Sequence, residues 1–460
     1  MMATVVRSRY ALTPAGWQPH IVLEITPDGR IASLRQEPSL SVYDTELLLP
    51  APANVHSHSF QRALAGLTEA RSAGRDSFWS WRSLMYRFLA RLGPEQLEAI
   101  AAMVFVEMLE AGYASVGEFH YLHHQPDGQP YAWGPELSAR LVSAAHSAGI
   151  GLTLLPVLYQ YGGCDRRPLQ GGQLRFRHTP DSFTRLYEDL QGLFQTTPAD
   201  FRLGLAPHSL RAVDREGLER AQTLCPAGPL HLHLAEQEAE VAEVLACHGA
   251  RPVEWLLAQF SVDQRWCLVH CTQMTAAETR ALAATGAVAG ICPLTEASLG
   301  DGIFNGSTYL AAGGRIGVGT DSNIEVSYFS ELKMLEYSQR LQALGRAILA
   351  DPVHSTARRL VGETLAGGAQ ALGRPAAQLT VGGLADMVGL TLDHHLLERL
   401  SGQAPDDSCL DTLVFAGIGD ACVREVWSAG RHVVTNGRHV HRSVLEQGYR
   451  RAIQSLKSAM

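Results

Sequence analysis

The sequence predicts an α/β protein, a (β/α)8 barrel joined to a small β-sheet domain assembled from both chain ends. Three observations lead there. Short apolar runs recur along the middle of the chain, each ending in polar or aromatic residues and each followed by a helical stretch. The two ends are instead rich in β-branched residues and turn signals. Finally, His, Glu and Asp gather at the C-terminal ends of the apolar runs, the face where a barrel of this kind carries its active site.

Taken in order, the first 50 residues hold Val5-Val6, Ile21-Val22-Leu23-Glu24-Ile25 and Pro27-Asp28-Gly29-Arg30-Ile31. Asp-Gly between alternating runs is a hairpin signal. Leu47-Leu48-Leu49-Pro50 reads as a short strand leading into Pro52-Ala53-Asn54-Val55-His56-Ser57-His58. Side chains alternate along a strand, so His56 and His58 point the same way. Further strand-length runs cover residues 115–121, 152–159, 203–208, 230–236, 267–270, 287–293 and 316–321. With the strand ending at His56 they make eight βα units. Residues 381–390 and 423–434 read as strands again, followed by a turn at Asn436-Gly437. The expected domains are therefore 1–50 with 378–445 as the small β domain, 51–377 as the barrel, and 446–460 as a C-terminal helix.

Two connections stand out. About 60 residues separate His58 from Glu118 and include Asp76-Ser77-Phe78-Trp79-Ser80-Trp81-Arg82, the length of a lid or binding element. An aromatic stripe packed on the barrel is the plainer reading of the tryptophans. Residues 161–177, with glycine pairs at 162–163 and 171–172, read as a mobile loop over the strand ends.

Composition bounds the partners. Of 460 residues 46% are apolar, enough for a large core. The net charge, 38 − 46 = −8, leaves no basic footprint for nucleic acid. No signal-peptide core appears and no run approaches about 18 apolar residues, so no membrane is expected. The eight cysteines form no Cys-x-x-Cys pair, which suits reduced thiols in the cytoplasm. Cys267 and Cys271 flank His270, but the strand pattern points His270 to the barrel mouth rather than to a thiolate site.

The strand ends together carry the chemistry. His56 and His58 close the first strand, His233 the fifth, His270 the sixth and Asp321 the eighth. Of His231 and His233, the second lies nearer the mouth and is followed by Glu236. Three neutral imidazoles and one carboxylate, with a position left open, describe a catalytic metal site of zinc type. Such an ion lowers the pKa of a water, and Glu236, His270 and Asp321 surround that place as proton acceptors and donors. The fourth strand has no lysine near Pro207-His208-Ser209, which favours one divalent ion over a lysine-bridged pair.

The pattern resembles the amidohydrolase superfamily, in particular its mononuclear deaminase branch. Within it, five blocks are similar to the N-formimino-L-glutamate deiminases: residues 56–69 from His56-Ser57-His58, Trp79-Ser80-Trp81-Arg82, Pro207-His208-Ser209-Leu210-Arg211, His233-Leu234-Ala235-Glu236-Gln237, and Gly317-Val318-Gly319-Thr320-Asp321-Ser322-Asn323. Ser298 stands where the resemblance expects Asn. The resemblance implies an amidohydrolase-type fold, a TIM-like barrel with a small β-sandwich domain from both chain ends, and a cytoplasmic homodimer. It implies one divalent ion, zinc foremost, held by His56, His58, His233 and Asp321, with Glu236 and His270 beside the water. Substrate contacts are implied for Gln61, Arg82, Tyr121, His208 and Arg211. The implied reaction is hydrolytic deimination of N-formimino-L-glutamate, a step of histidine degradation. Two carboxylates on that substrate call for guanidinium forks, which Arg82 and Arg211 could supply. The alternatives are an aminohydrolase or chlorohydrolase acting on a purine, pyrimidine or triazine ring, and a metal-free scaffold on the same barrel.

Overall fold

The computed structural model describes residues 4–457 apart from 68, 70–77 and 401, and gives the backbone alone for residues 78–83. The chain opens with β1 (Thr4–Thr13), β2 (Gly16–Ile25), β3 (Ile31–Gln36) and β4 (Thr45–Pro50). β1 and β2 pair antiparallel over their whole length, and β2 pairs with β3 through the turn that Asp28-Gly29 signals. Gly29 is required there twice over. Its φ is +78°, and a Cβ would lie 2.1 Å from the carbonyl oxygen of Ala429.

Next come β5 (Ala53–Ser57), β6 (Ser115–His120), β7 (Gly151–Leu158), β8 (Arg202–Leu203) and β9 (Ala206–Pro207), all parallel. They are followed by β10 (Leu230–Leu234), β11 (Trp266–His270), β12 (Val288–Ile291) and β13 (Arg315–Val318), a second parallel sheet in that order. β5, β6, β7, β10, β11 and β12 are buried at every position, the mark of strands covered on both faces. Helices supply that cover, among them Pro94–Glu110, Glu136–Ala148, Pro180–Phe194 and Thr356–Ala371. Thr179 and Thr275 start their helices by accepting from the N–H three residues on. The two parallel sheets touch along both edges, through single parallel bridges at Ser57–Asp321, Leu205–Leu230 and Ser209–His233. The molecule is thus a mixed α/β protein with parallel sheets.

The chain ends with β14 (Met387–Leu390), β15 (Val423–Ser428), β16 (Arg431–Thr435) and β17 (Arg438–His439), then a helix, Arg442–Leu456. All of them join the first four strands in one eight-stranded sheet, ordered β17-β16-β15-β14-β4-β1-β2-β3. The seam between the chain ends is β4 against β14, Leu47 opposite Leu390 and Pro50 opposite Met387. Val6, Ile21, Leu23, Leu48, Met387 and Trp427 form a separate core within this sheet. Arg431 ties it to the parallel strands by a two-pronged contact to Asp200, 3.0 and 2.6 Å.

Several expectations need correction. Residues 47–50 do not lead straight into the strand of His56 and His58: they pair in the chain-end sheet, and that strand starts afresh at Ala53. Residues 423–434 make a hairpin, because Ala429 and Gly430 both take positive φ and turn the chain. Residues 381–390 yield a strand only from Met387. The fourth run splits into β8 and β9, since Gly204 packs against Leu155 and Pro229 and Pro207 has no N–H for the ladder. Residues 161–177 contain a 3-10 turn, Gly171–Phe176, anchored by the buried Arg175. No helix among the described residues is long and apolar enough to cross a membrane.

Gly29→Ala is expected to destabilise the chain by about 1–3 kcal/mol or more, from positive-φ strain and the clash with Ala429. Urea unfolding monitored by circular dichroism measures it, and an unchanged midpoint would contradict the close approach.

Candidate active site

Three imidazoles converge where the parallel strands end. His56 Nε2 lies 3.2 Å from His58 Nε2 and 3.1 Å from His233 Nε2. Asp321 Oδ1 sits 3.3 Å from His58 Nε2 and 3.5 Å from His56 Nε2. Carbonyl oxygens fix the ring states. His58 Nδ1 donates to Phe119 O at 2.9 Å and His233 Nδ1 to His208 O at 3.1 Å. Burial holds all three rings neutral, pushing His58 down to about 3 and the other two well down. A neutral ring protonated at Nδ1 presents a bare lone pair at Nε2. At least two such lone pairs therefore aim at one point, beside a carboxylate. Donors on a zinc ion at about 2.0–2.1 Å stand roughly 3.3 Å apart, so the spacing and chemistry of the donor set fit a divalent cation. Asp321 supports the fit. Burial, against the nearby His270 and with Glu236 and Glu296, raises its carboxyl to about 7, and a cation reverses that.

The cluster is held by a buried polar network that the sequence reading did not single out. Asn54 donates to Thr320 Oγ1 at 2.6 Å, and Thr320 Oγ1 donates to Asn323 Oδ1 at 2.6 Å. The Asn323 amide nitrogen reaches Ser57 Oγ, His58 O and Asp321 O at 3.2, 3.2 and 3.0 Å. The backbones of His56, His58 and Asp321 also pair directly, with Asp321 N to His56 O and His58 N to Asp321 O, both 2.9 Å. Gly319 makes this contact possible, since a Cβ there would sit 2.8 Å from the His56 backbone. Ala235, His270 and Asp321 all adopt positive φ, at 52°, 71° and 44°. Strain of this kind persists only where surroundings over-determine it, and it gathers at functional sites.

Beside the cluster lies a nest of carboxylates. Glu236 follows β10, and Glu240 fixes that turn by accepting from Ala235 N and Glu236 N at 3.2 and 3.0 Å. His270 Nε2 is 3.8 Å from both Glu236 Oε1 and Asp321 Oδ2, while its Nδ1 meets Glu296 Oε1 at 3.2 Å. Burial opposes charge on His270, but Glu236, Glu296 and Asp321 outweigh it and hold the ring's pKa well up. Asp301, behind them, is pushed up to about 9 by burial and by Glu236. Neither Glu296 nor Asp301 was expected from sequence.

These groups open into one pocket, which His58, His233, Glu236, His270 and Asp321 share with Gln61, Tyr121, His208 and Arg211. Gln61 Nε2 donates to the Tyr121 hydroxyl at 2.9 Å, leaving its buried Oε1 without a partner. His208 Nδ1 meets Ser209 Oγ at 3.1 Å. Arg211 is half-buried. Burial works against its charge, yet Glu240, Glu236 and Glu243 raise its pKa, and its Nε has no hydrogen-bond partner. Arg82 falls on the helix Phe78–Leu89, but its side chain lies outside the described residues. His231 points away, with Nε2 to Ala371 O at 2.7 Å. Cys267 and Cys271 are buried free thiols.

Parallel strands ending in a His–His–His–Asp cluster agree with what comparison with known proteins returns. The chain belongs to the amidohydrolase family, whose profile, "Amidohydrolase family", matches residues 47–437. It is 47% identical over 438 residues to the formimidoylglutamate deiminase of Pseudomonas aeruginosa, covering 93% of this chain and 94% of that one. The crystal structure of an amidohydrolase from Brucella melitensis superposes with a TM-score of 0.93 at 44% identity, over 98% of this chain and 99% of that one. A zinc-bound adenosine deaminase from Xanthomonas campestris shares the fold, with a TM-score of 0.78 at 22% identity over 99% and 98% of the two chains.

Asn323→Ala removes the donor that reaches Ser57, His58 and Asp321. Loss of such outer support is expected to weaken divalent-ion binding about 10–100-fold. Metal retention after dialysis against a graded chelator measures it, and wild-type retention would overturn the role of the network.

Proposed function

We propose that this chain hydrolyses N-formimino-L-glutamate to N-formyl-L-glutamate and ammonia, a step of histidine degradation. One divalent ion, zinc first among candidates, is held by His56, His58, His233 and Asp321. The observation that carries the substrate is Arg211, whose buried Nε has no hydrogen-bond partner among the described residues, on the wall of the pocket that holds those ligands. A diacid supplies the carboxylate it lacks. The 47% identity to a formimidoylglutamate deiminase supports the same substrate. A purine, pyrimidine or triazine ring brings no carboxylate to the Arg211 Nε.

The two parallel sheets, touching at both edges, form one (β/α)8 barrel over 51–377. The chain-end sheet, 1–50 with 378–445, is a separate small β-sandwich domain, with the C-terminal helix packed after it. Eight free cysteines suit the cytoplasm. The homodimer rests on family resemblance.

Each side chain then has a task. The ion, when bound, supplies Lewis acidity and lowers the pKa of a water. Gln61 Oε1, a buried acceptor with no partner, takes an N–H of the formimino group. Glu236 faces the amidine cation and lies beside the carbon to be attacked. As water oxygen bonds to that carbon, Asp321 and His270 take its proton. His270 is suited to hold one, with Glu296 on its Nδ1 and Glu236 and Asp321 near its Nε2. Glu236 passes that proton to the departing nitrogen, the carbon–nitrogen bond breaks as the second water proton goes to the Asp321–His270 pair, and ammonia leaves. Arg211, with Arg82, keeps the two carboxylates away from the acidic nest.

Incubating the metal-assayed protein with N-formimino-L-glutamate should release ammonia and a product in which NH is replaced by O, read by mass spectrometry. No release from metal-loaded protein would dismiss the substrate. Glu236→Gln is expected to keep its metal and lose turnover by about two orders of magnitude or more. Retained turnover in that variant would remove Glu236 from the proton path.

A further inference from the structure

Arg175 is a buried cation, 1% exposed, on the 3-10 turn Gly171–Phe176. Burial lowers its pKa, and among the described residues the tyrosine hydroxyl of Tyr131 opposes that. What surrounds the guanidinium is carbonyl oxygen. Nη1 donates to Leu89 O at 2.5 Å and Leu92 O at 2.9 Å, and Nε donates to His124 O at 2.9 Å. Leu89 is the last residue of the helix Phe78–Leu89, so the charge sits at the negative end of that helix. Its own carbonyl accepts from His123 N and His124 N, both at 3.0 Å. One residue therefore clasps three segments remote in sequence: the end of the helix, the loop after β6, and its own turn.

Each segment lends the pocket a wall. The helix supplies Met85 and Tyr86, the loop supplies Tyr121, and the turn supplies Phe176, the residue after Arg175. Phe176 packs on Tyr121 at 4.8 Å, Tyr159 at 5.5 Å and Tyr86 at 6.2 Å between ring centres. Gly172 brings the turn so near Tyr86 that a Cβ would lie 2.7 Å from its ring. This wall adjoins the strand-end cluster, the Tyr121 ring lying 4.9 Å from that of His58, and its helix carries Arg82 along the backbone. No carboxylate among the described residues pairs with it; a buried charge so placed is costly, and a hydrophobic side chain would pack a turn at lower cost. The feature it offers instead is a rigid fork that reaches several carbonyls at once, which lysine cannot match.

We propose that Arg175 is a positioning residue for the substrate. It fixes the Met85–Tyr86 helix and the Tyr121–Phe176 wall at the distance that suits a glutamate-length diacid, and so sets chain-length specificity. The inference rests on the proposed deiminase reading. It predicts a fault in binding rather than in chemistry, because Arg175 touches none of the groups that hold or move protons.

The test compares wild type, Arg175→Met and Arg175→Lys on N-formimino-L-glutamate and the shorter N-formimino-L-aspartate, with metal content and amide hydrogen exchange of residues 84–92. Arg175→Met is expected to raise KM for the glutamate substrate about tenfold or more while kcat stays within roughly threefold and metal content is unchanged. Preference for glutamate over aspartate should shrink, exchange over 84–92 should accelerate, and Arg175→Lys should fall between. If Arg175→Met does not fold, the lysine variant carries the same comparison. Unchanged KM and unchanged preference, or a loss confined to kcat and metal, would overturn the proposal. Inactive wild type would instead sink the deiminase reading and the substrate role together. The exchange data, which need no substrate, tell these failures apart, since they report whether the clasp exists whatever the substrate is.

Discussion

The whole arrangement depends on the joint between β5 and the residues just after β13. Asp321 and the two histidines of β5 exchange backbone hydrogen bonds, and Asn54, Thr320 and Asn323 lock that exchange from behind. The joint brings the His58 and His233 Nε2 atoms and Asp321 Oδ1 within 3.1–3.5 Å of His56 Nε2. Without a cation, that crowd of lone pairs is self-repelling. The fold accordingly accepts a local electrostatic cost that a divalent ion relieves, and metal affinity and stability of the strand ends become one quantity.

Charge is then divided across the pocket. Carboxylates from three strand ends gather around His270, whereas the guanidinium of Arg211 stands on the far wall with Glu240 behind it. A substrate with a cationic head and anionic tail finds complementary ends, so orientation is decided before any bond changes. Aromatic rings of Tyr86, Tyr121, Tyr159 and Phe176 also line the pocket, and the low dielectric they bring strengthens charge interactions there.

Much of this was legible in the sequence. Strand positions followed from apolar runs of strand length, and all eight runs that end in polar residues contain parallel strands. His56, His58, His233, Glu236, His270 and Asp321 drew notice because ligand-type residues at strand ends are rare in combination, and the structure gathers them. The supporting network was not legible. Asn54 and Thr320 are 266 positions apart, and a hydrogen bond between them leaves no periodic trace. Glu296 sits in a short helix after β12, where an acidic residue reads as surface. Arg175 reads as an exposed loop cation, and only tertiary packing shows it enclosed. The split of the fourth strand and the fresh start at Ala53 came from close packing around glycine and proline, which propensity does not reveal.

The seam between β4 and β14 has a bearing on how the chain acquires its shape. Leu47–Pro50 finds its partner only when residues 387–390 exist, after nearly all the rest has been made. During synthesis β4 has β1 on one side and a bare row of amides on the other. An open edge of that apolarity is a template for pairing with other chains. Contacts of such long range also slow folding. The nascent chain therefore carries this open edge from Pro50 until residues 387–390 close the sheet.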